Sequence, residues 1–355
     1  FSKKKKKIKV KYTMNTKTIN IIKRLIFVLM LSMGIFLLYR YVIYRTVVEP
    51  MIFDGKYIRN IYSKYNIKIN TSKKTLTKGE QTISYNNYTN SFMSAIFANN
   101  KYNVNALLSS ANLPVCKQLK WINNMSVNEN VKLINTELKY PLIIKPASGE
   151  KGFDVLTDIH DNDILIDSVR SLQKKSINEI IIEQQSIGEK YRILIINQYI
   201  IYVKYENVPI IIGDGKSTIR QLIKKYPDIH KTGPIKHINE KLIKQQGYKI
   251  NSILENSREI RVTNVISVTN GSNESIVDPT KINEVNNKMF IDVSKALKLN
   301  CCGIDYITPD LSIPYTTAGN IIEVNSGPGI TENLLSKPKI HNALIDALFS
   351  TRNYV

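Results

Sequence analysis

Two apolar runs near the C-terminal end carry polar residues in their middle, and they constrain this chain more than any other feature. They are Gly303-Ile304-Asp305 and Ile322-Glu323-Val324-Asn325-Ser326-Gly327-Pro328-Gly329. An acid flanked by Ile304, Ile307, Ile321, Ile322 and Val324 is set to be buried, and a buried carboxylate needs compensation. Side chains alternate along a strand, so Glu323 and Asn325 share a face. In an antiparallel hairpin Asp305 lies across from them. Two carboxylates and one amide oxygen suit Mg2+ (or Mn2+), a hard cation that takes oxygen ligands and leaves room for phosphate and water. The competing reading is a solvated hairpin with its acids on the wet face. Gly327-Pro328-Gly329 brings backbone close to a ligand.

Four further stretches carry chemistry. In Ile144-Lys145-Pro146-Ala147-Ser148-Gly149-Glu150-Lys151-Gly152, a lysine ends a buried strand and a loop with two glycines follows, a natural phosphate cradle. The spacing is not that of a P-loop. In Ile181-Ile182-Glu183-Gln184-Gln185-Ser186-Ile187-Gly188-Glu189-Lys190-Tyr191-Arg192, a strand ending in polar residues can offer backbone to an adenine edge and a carboxylate to ribose. A strand running into a polar turn is the equal alternative. Ile212-Gly213-Asp214-Gly215-Lys216-Ser217-Thr218 reads as a turn feeding a helix. Arg261 is either a phosphate ligand or a surface ion-pair partner.

Taken in order, Lys101, IIKP with its glycine loop, IIEQQ–GEKYR, GDGKSTIRQLI, Arg261, GID and IIEVNSGPG resemble an ATP-grasp ligase. The pattern is most similar to the ATP-grasp module of cyanophycin synthetase and of the fused glutamate–cysteine ligase/glutathione synthetase. The resemblance spans residues 95–335. It implies an α+β fold in which two lobes grip ATP. By motif position it implies that Lys101 and Lys145 contact phosphates and that Ser148, Gly149 and Gly152 belong to a loop closing over them. It further implies that Glu183, Gln184 and Gln185 line the adenine and that Glu189 contacts ribose. It implies likewise that Asp305, Glu323 and Asn325 hold Mg2+ and that Arg192 and Arg261 stabilise an acyl phosphate. The implied reaction is ATP-dependent ligation of a carboxylate to an amine, with an amino acid or peptide as substrate. Two departures stand out. Phe153-Asp154 follows Gly152 where the family has another small turn, and Asn270-Gly271-Ser272-Asn273 stands where a Gly-Gly pair is usual. The murein-ligase-like second module of cyanophycin synthetase has no counterpart here.

Charge is unevenly spread. Ten of the formal +21 come from residues 1–24, which hold no acid, leaving +11 for the other 331. The globular part shows no interleaving of aromatics with Lys/Arg, so nucleic acid is not an expected partner. Leu25–Tyr39 is an unbroken apolar or small run, and with Tyr41–Tyr44 it reaches the length a bilayer core requires. Residues 25–44 are therefore expected to form a membrane-anchor helix, transmembrane or interfacial, with the catalytic domain facing an ATP-containing compartment, the cytosol. The organisation expected is a basic tail (1–24), the anchor, a small region (45–100), a first lobe (101–189), a second lobe with the metal site (190–340) and a C-terminal helix and tail (341–355). Strand-like pieces are expected around Tyr57–Ile69 and Gln81–Tyr85, and helices over Asn105–Ala111, Ile164–Leu172, Thr218–Lys225, Ile282–Leu299 and His341–Phe349. The four histidines fall outside every motif and read as surface residues. Three cysteines match no disulfide framework or zinc pattern. The rival to a ligase is a membrane-tethered nucleotide-binding module that has lost activity, motivated by Phe153 and Asn270.

Overall fold

The computed structural model describes residues 33, 56–84, 90–149, 152–230, 232–267, 270–328 and 337–349. The basic tail, the expected anchor apart from Met33, Glu150, Lys151 and Gly329 lie outside the described residues. Among the described residues no helix is long and apolar enough to cross a membrane. The chain divides into two compact units at Val48/Glu49, and the second contains all of the sheets.

The centre of that unit is a five-stranded antiparallel sheet. It is built from β8 (Glu189–Ile196), β9 (Tyr199–Glu206), β12 (Glu274–Val277), β13 (Cys301–Thr308) and β14 (Asn320–Asn325), in the order β12-β9-β8-β13-β14. Both faces are covered, which explains why these strands read as nearly continuous apolar runs. On one face Ile193, Ile195, Val203, Cys302, Ile304 and Tyr306 pack against Met289, Phe290 and Val293 of the helix Glu284–Ala296 and Leu108 of the helix Lys101–Ser110. On the other, Leu194, Ile196, Tyr202 and Cys301 meet a layer formed by the helix Lys56–Lys64, the hairpins β1 (Ile67–Asn70), β2 (Thr75–Lys78) and β3 (Gln81–Ser84), and the helix Pro338–Phe349. Residues 56–64 correct the strand reading of Tyr57–Ile69. Buried Ile58, Ile61 and Tyr62 recur at helical spacing, and the extended chain begins only at Ile67.

That second face changes character along the strands. Residues 194, 196, 202 and 301 are apolar under the N-terminal layer, whereas residues 190, 192, 204, 206 and 305, at the same parity, are charged. Beyond this charged half lies a four-stranded antiparallel sheet of β4 (Gln118–Lys120), β5 (Leu142–Pro146), β6 (Leu156–Ile159) and β7 (Ile180–Gln184), in the order β4-β7-β5-β6. Two helices support it. Val127–Glu137 is started by a capping box between Ser126 and Glu129, and Asn162–Lys174 is capped by Asp161. A ribbon of β10 (Ile210–Ile212) and β11 (Glu259–Arg261) packs with the helix Ile219–His230 around its own core. His341 departs from the surface expectation: it is buried against Tyr65, because the C-terminal helix turns that face inward.

The β13–β14 hairpin depends on Gly319. Its φ of +132° is closed to side chains, and a Cβ there would sit 1.9 Å from the hydroxyl of buried Tyr306. Gly319→Ala is expected to destabilise the protein by about 2 kcal/mol or more. Urea unfolding checks this, and Tyr306→Phe in the same background, which removes the clashing hydroxyl, is expected to recover part of the loss.

Candidate functional site

A cleft of about 550 Å³ opens between the two larger sheets. Its floor is the charged half of the five-stranded sheet. Direct register across four strands aligns Lys204, Arg192, Asp305 and Glu323 in one row, and Asn325 lies two residues along from Glu323 on the same face. A shift in register between Asp305 and Tyr306 allows Ile321 and Val324 both to enter the core while Glu323 stays at the cleft.

Asp305 is the electrostatic centre. Its Oδ1 accepts from Arg192 Nη1 at 2.5 Å, and Lys190 Nζ lies 3.0 Å from its Oδ2. Burial opposes ionisation of this carboxyl, but Arg192 and Lys190 outweigh it and hold the pKa down at about 2. The same pairing keeps Arg192 and Lys190 protonated against burial. Gly303 makes the Arg192 position possible. A Cβ at Gly303 would lie 2.7 Å from Nε and 2.8 Å from Nη2, so the guanidinium occupies the space a side chain would fill. The ion pairs continue across the sheet. Lys190 lies 3.0 Å from Glu206 Oε2, and Lys204 lies 2.8 Å from Glu206 Oε1 and 2.5 Å from Glu274.

The opposite wall comes from β5, β7 and the glycine loop. Lys145 and Glu183, diagonal to each other across β5 and β7, pair at 2.9 Å, both buried. Burial lowers the affinity of Lys145 for its proton, but the Glu183 carboxylate more than restores it. Lys101, at the first turn of its helix, donates to the Gly149 carbonyl at 2.6 Å and lies 3.1 Å from Glu323 Oε1. It therefore joins the glycine loop to the carboxylate row. Gly152, Phe153 and the segment 264–267 roof the cleft. Asn264 hydrogen-bonds Asp158, and Phe153 meets His237 edge-on. Asp154, part of the departure that follows Gly152, is paired with Lys175. Asn270 is fully buried and ties the roof together: its Oδ1 accepts from the amides of Lys236 and His237, and its Nδ2 donates to the Val265 carbonyl.

Of the residues singled out by motif, Lys101, Lys145, Gly149, Gly152, Glu183, Arg192, Asp305, Glu323 and Asn325 all line this one cleft. Ser148, Gln184, Gln185, Glu189 and Arg261 do not. Gln184 follows Glu183 and so points to the opposite face, where Ile180 and Ile182 enter the core and Gln184 at the strand end is exposed. Gln185 is spent on Asp158, accepting from its amide at 2.9 Å and donating to its Oδ1 at 3.1 Å. Glu189 accepts from the Tyr205 hydroxyl at 2.6 Å, and Arg261 is exposed on β11. Four charged lining residues were not singled out by motif: Lys190, Lys204, Glu206 and Glu274. For the first three the signal was the alternation in Glu189-Lys190-Tyr191-Arg192 and Val203-Lys204-Tyr205-Glu206, where the residues on one face are charged.

The fold is a known one. Over 81% of its length the chain superposes on the solved bifunctional glutathione synthetase of Pasteurella multocida with a TM-score of 0.51 at 18% identity, covering 42% of that chain. The chain has the ATP-grasp fold. In sequence it is 29% identical over 210 residues to the cyanophycin synthetase of Synechocystis sp., an alignment covering 55% of this chain and 24% of that protein. It is 31% identical over 208 residues to that of Crocosphaera subtropica, covering 54% and 23%. Against the glutathione biosynthesis bifunctional protein GshAB of Clostridium perfringens it is 24% identical over 254 residues, covering 68% and 32%. The chain thus spans about a quarter to a third of the length of these relatives. No family model matches it.

The Asp305, Glu323 and Asn325 oxygens form a hard, all-oxygen donor set on adjacent strands, which fits a Mg2+-sized ion shared with phosphate. Among the described residues no cluster of three or more His, Cys, Asp or Glu offers another metal centre. Asp305 gives a pH test. With its folded pKa near 2 and an unfolded value of about 4, its contribution to stability is complete above pH ~4 and is lost as pH falls toward 2. Acid titration of unfolding free energy is expected to fall over that window, and Asp305→Asn to flatten it. Lys145→Met strands the Glu183 charge in the interior and is expected to cost about 3–5 kcal/mol. Lys145→Met/Glu183→Gln is expected to regain much of this in the same denaturant measurement.

Proposed function

We propose that the chain is an ATP- and Mg2+-dependent carboxylate–amine ligase that forms an amide or peptide bond through an acyl phosphate. The observation that carries this reading is the meeting of Lys101, Lys145, Asp305, Glu323, Asn325 and Arg192 in one cleft of an ATP-grasp fold. A γ-phosphoryl group transferred to a carboxylate needs cations along its path and nothing nucleophilic from the protein. In this reading Lys145, paired with Glu183, and Lys101, which donates to the Gly149 carbonyl, bind phosphate oxygens. Mg2+ held by Asp305, Glu323 and Asn325 would neutralise charge on the nucleotide's phosphates. Arg192 has guanidinium N–H groups beyond the one it gives to Asp305. In this reading it holds the transferred phosphoryl group. A substrate carboxylate oxygen attacks the γ-phosphorus and ADP departs. An amine then attacks the acyl carbon, releasing phosphate and a proton.

Amino acids or peptides are the proposed substrates, in keeping with relatives named for cyanophycin and glutathione synthesis. Membrane attachment through residues 25–44, with the ligase unit in an ATP-containing compartment, is proposed from the sequence of that segment alone. The placement of Arg261 outside the cleft favours a second reading, a tethered nucleotide-binding module without turnover.

Phosphate release by the purified chain, with ATP, Mg2+ and pooled amino acids, separates the two. Ligase activity predicts release that depends on amino acid and drops at least about 100-fold in Glu323→Ala, the scale expected for loss of a group acting on transition-state charge. Nucleotide binding with no amino-acid-dependent release is the outcome expected of the inactive module. Arg192→Lys is expected to lower kcat while leaving KM for ATP nearly unchanged.

A further inference from the structure

Lys190 lies within the GEKYR stretch but was given no role there, yet it is one of the most completely bonded groups in the cleft. An ammonium has three N–H donors. Lys190 Nζ has three oxygens around it: Asp305 Oδ2 at 3.0 Å, Glu206 Oε2 at 3.0 Å and the Ile266 carbonyl at 3.3 Å. No donor is left for a substrate, so Lys190 cannot act on a phosphoryl group as Arg192 can.

Its neighbours show what it does instead. Asp305 and Glu206 are both buried, and each has its other oxygen taken by a different cation. Arg192 holds Asp305 Oδ1, and Lys204 holds Glu206 Oε1. Among the described residues Lys190 is the one cation within 4 Å of both acids. Two carboxylates and one carbonyl converging on a point is an oxygen shell of the kind that holds a monovalent metal ion. Without positive charge at that point, two buried anions would face each other.

We propose that Lys190 is a tethered cation seated in a built three-oxygen cation site, joining Asp305 and Glu206 on the floor of the cleft to the Ile266 carbonyl of its roof. The site supplies from the protein a charge that would otherwise have to come from solution, and it holds the second oxygen of Asp305 in a fixed direction. It rests on the ligase reading of the cleft and deepens it, because Asp305 is the carboxylate that reading gives to the metal.

Chemical rescue tests it. Lys190→Ala in the full chain removes the ammonium and leaves its oxygens. Thermal unfolding is followed without nucleotide in ammonium chloride and, at equal ionic strength, in choline chloride, whose cation is too large for the site. The expected result is a variant that melts below wild type in choline. Ammonium should raise its Tm saturably by about 2 °C or more, with no such rise in wild type. A Tm that responds equally in both proteins, or in neither, overturns the proposal. Where the single variant fails to fold, Lys190→Ala/Glu206→Gln removes one acid along with the cation. It is expected to fold and to melt alike in both salts, and a double variant that also fails to fold, or that ammonium stabilises over choline, overturns the proposal. No nucleotide enters these measurements, so their outcome and that of the amino-acid-dependent phosphate assay stand separately.

Discussion

The cleft depends on one constraint: six charges in line on one face of a sheet, most of them buried, must alternate in sign. From Glu274 the chain of ion pairs runs through Lys204, Glu206, Lys190 and Asp305 to Arg192. Each buried member would be costly alone, because removing a single partner leaves an uncompensated interior charge. Together they are neutral. Such a chain contributes little to stability compared with apolar packing of the same volume, so its place in the floor of a cleft speaks for a role in handling charged ligands.

Strand parity explains how the fold makes room for it. Positions 194, 196, 202 and 301 and positions 190, 192, 204, 206 and 305 lie on the same face, and only their cover differs. The N-terminal helix and hairpins, with the C-terminal helix, seal the apolar half. The four-stranded sheet and its glycine loop stand over the charged half. Gly303 sits at the boundary, directly opposite Leu194 and Asn325, and its missing side chain is the slot in which Arg192 lies. The Lys145–Glu183 pair repeats the same logic on the facing wall.

Much of this was legible in the residues. Acids within the apolar strands around Asp305 and Glu323 announced a buried polar purpose, and the hairpin register places them directly opposite each other. The lysine at the end of β5 and its glycine loop were readable for the same reason: a strand end followed by glycines is a local signal. What could not be read was tertiary. Whether Gln185 faces the cleft or bonds Asp158 depends on a hairpin crossing 27 residues away, and Arg261 is carried out of the cleft by a ribbon whose placement no local pattern encodes. Lys190, Lys204 and Glu206 were visible as an alternation, but alternating charge on a strand is also what a solvated edge looks like. Helix Lys56–Lys64 was missed because its polar, Tyr-rich composition masks the spacing of Ile58, Ile61 and Tyr62.

The most direct measurement is hydrogen–deuterium exchange of the whole chain with and without Mg2+ and a non-hydrolysable ATP analogue. If the cleft holds the nucleotide as proposed, protection rises together in residues 142–149, 181–186, 301–307 and 320–327. These segments belong to two separate sheets that face each other across that cleft. Unchanged exchange in all four, or protection confined to some other surface, contradicts the account.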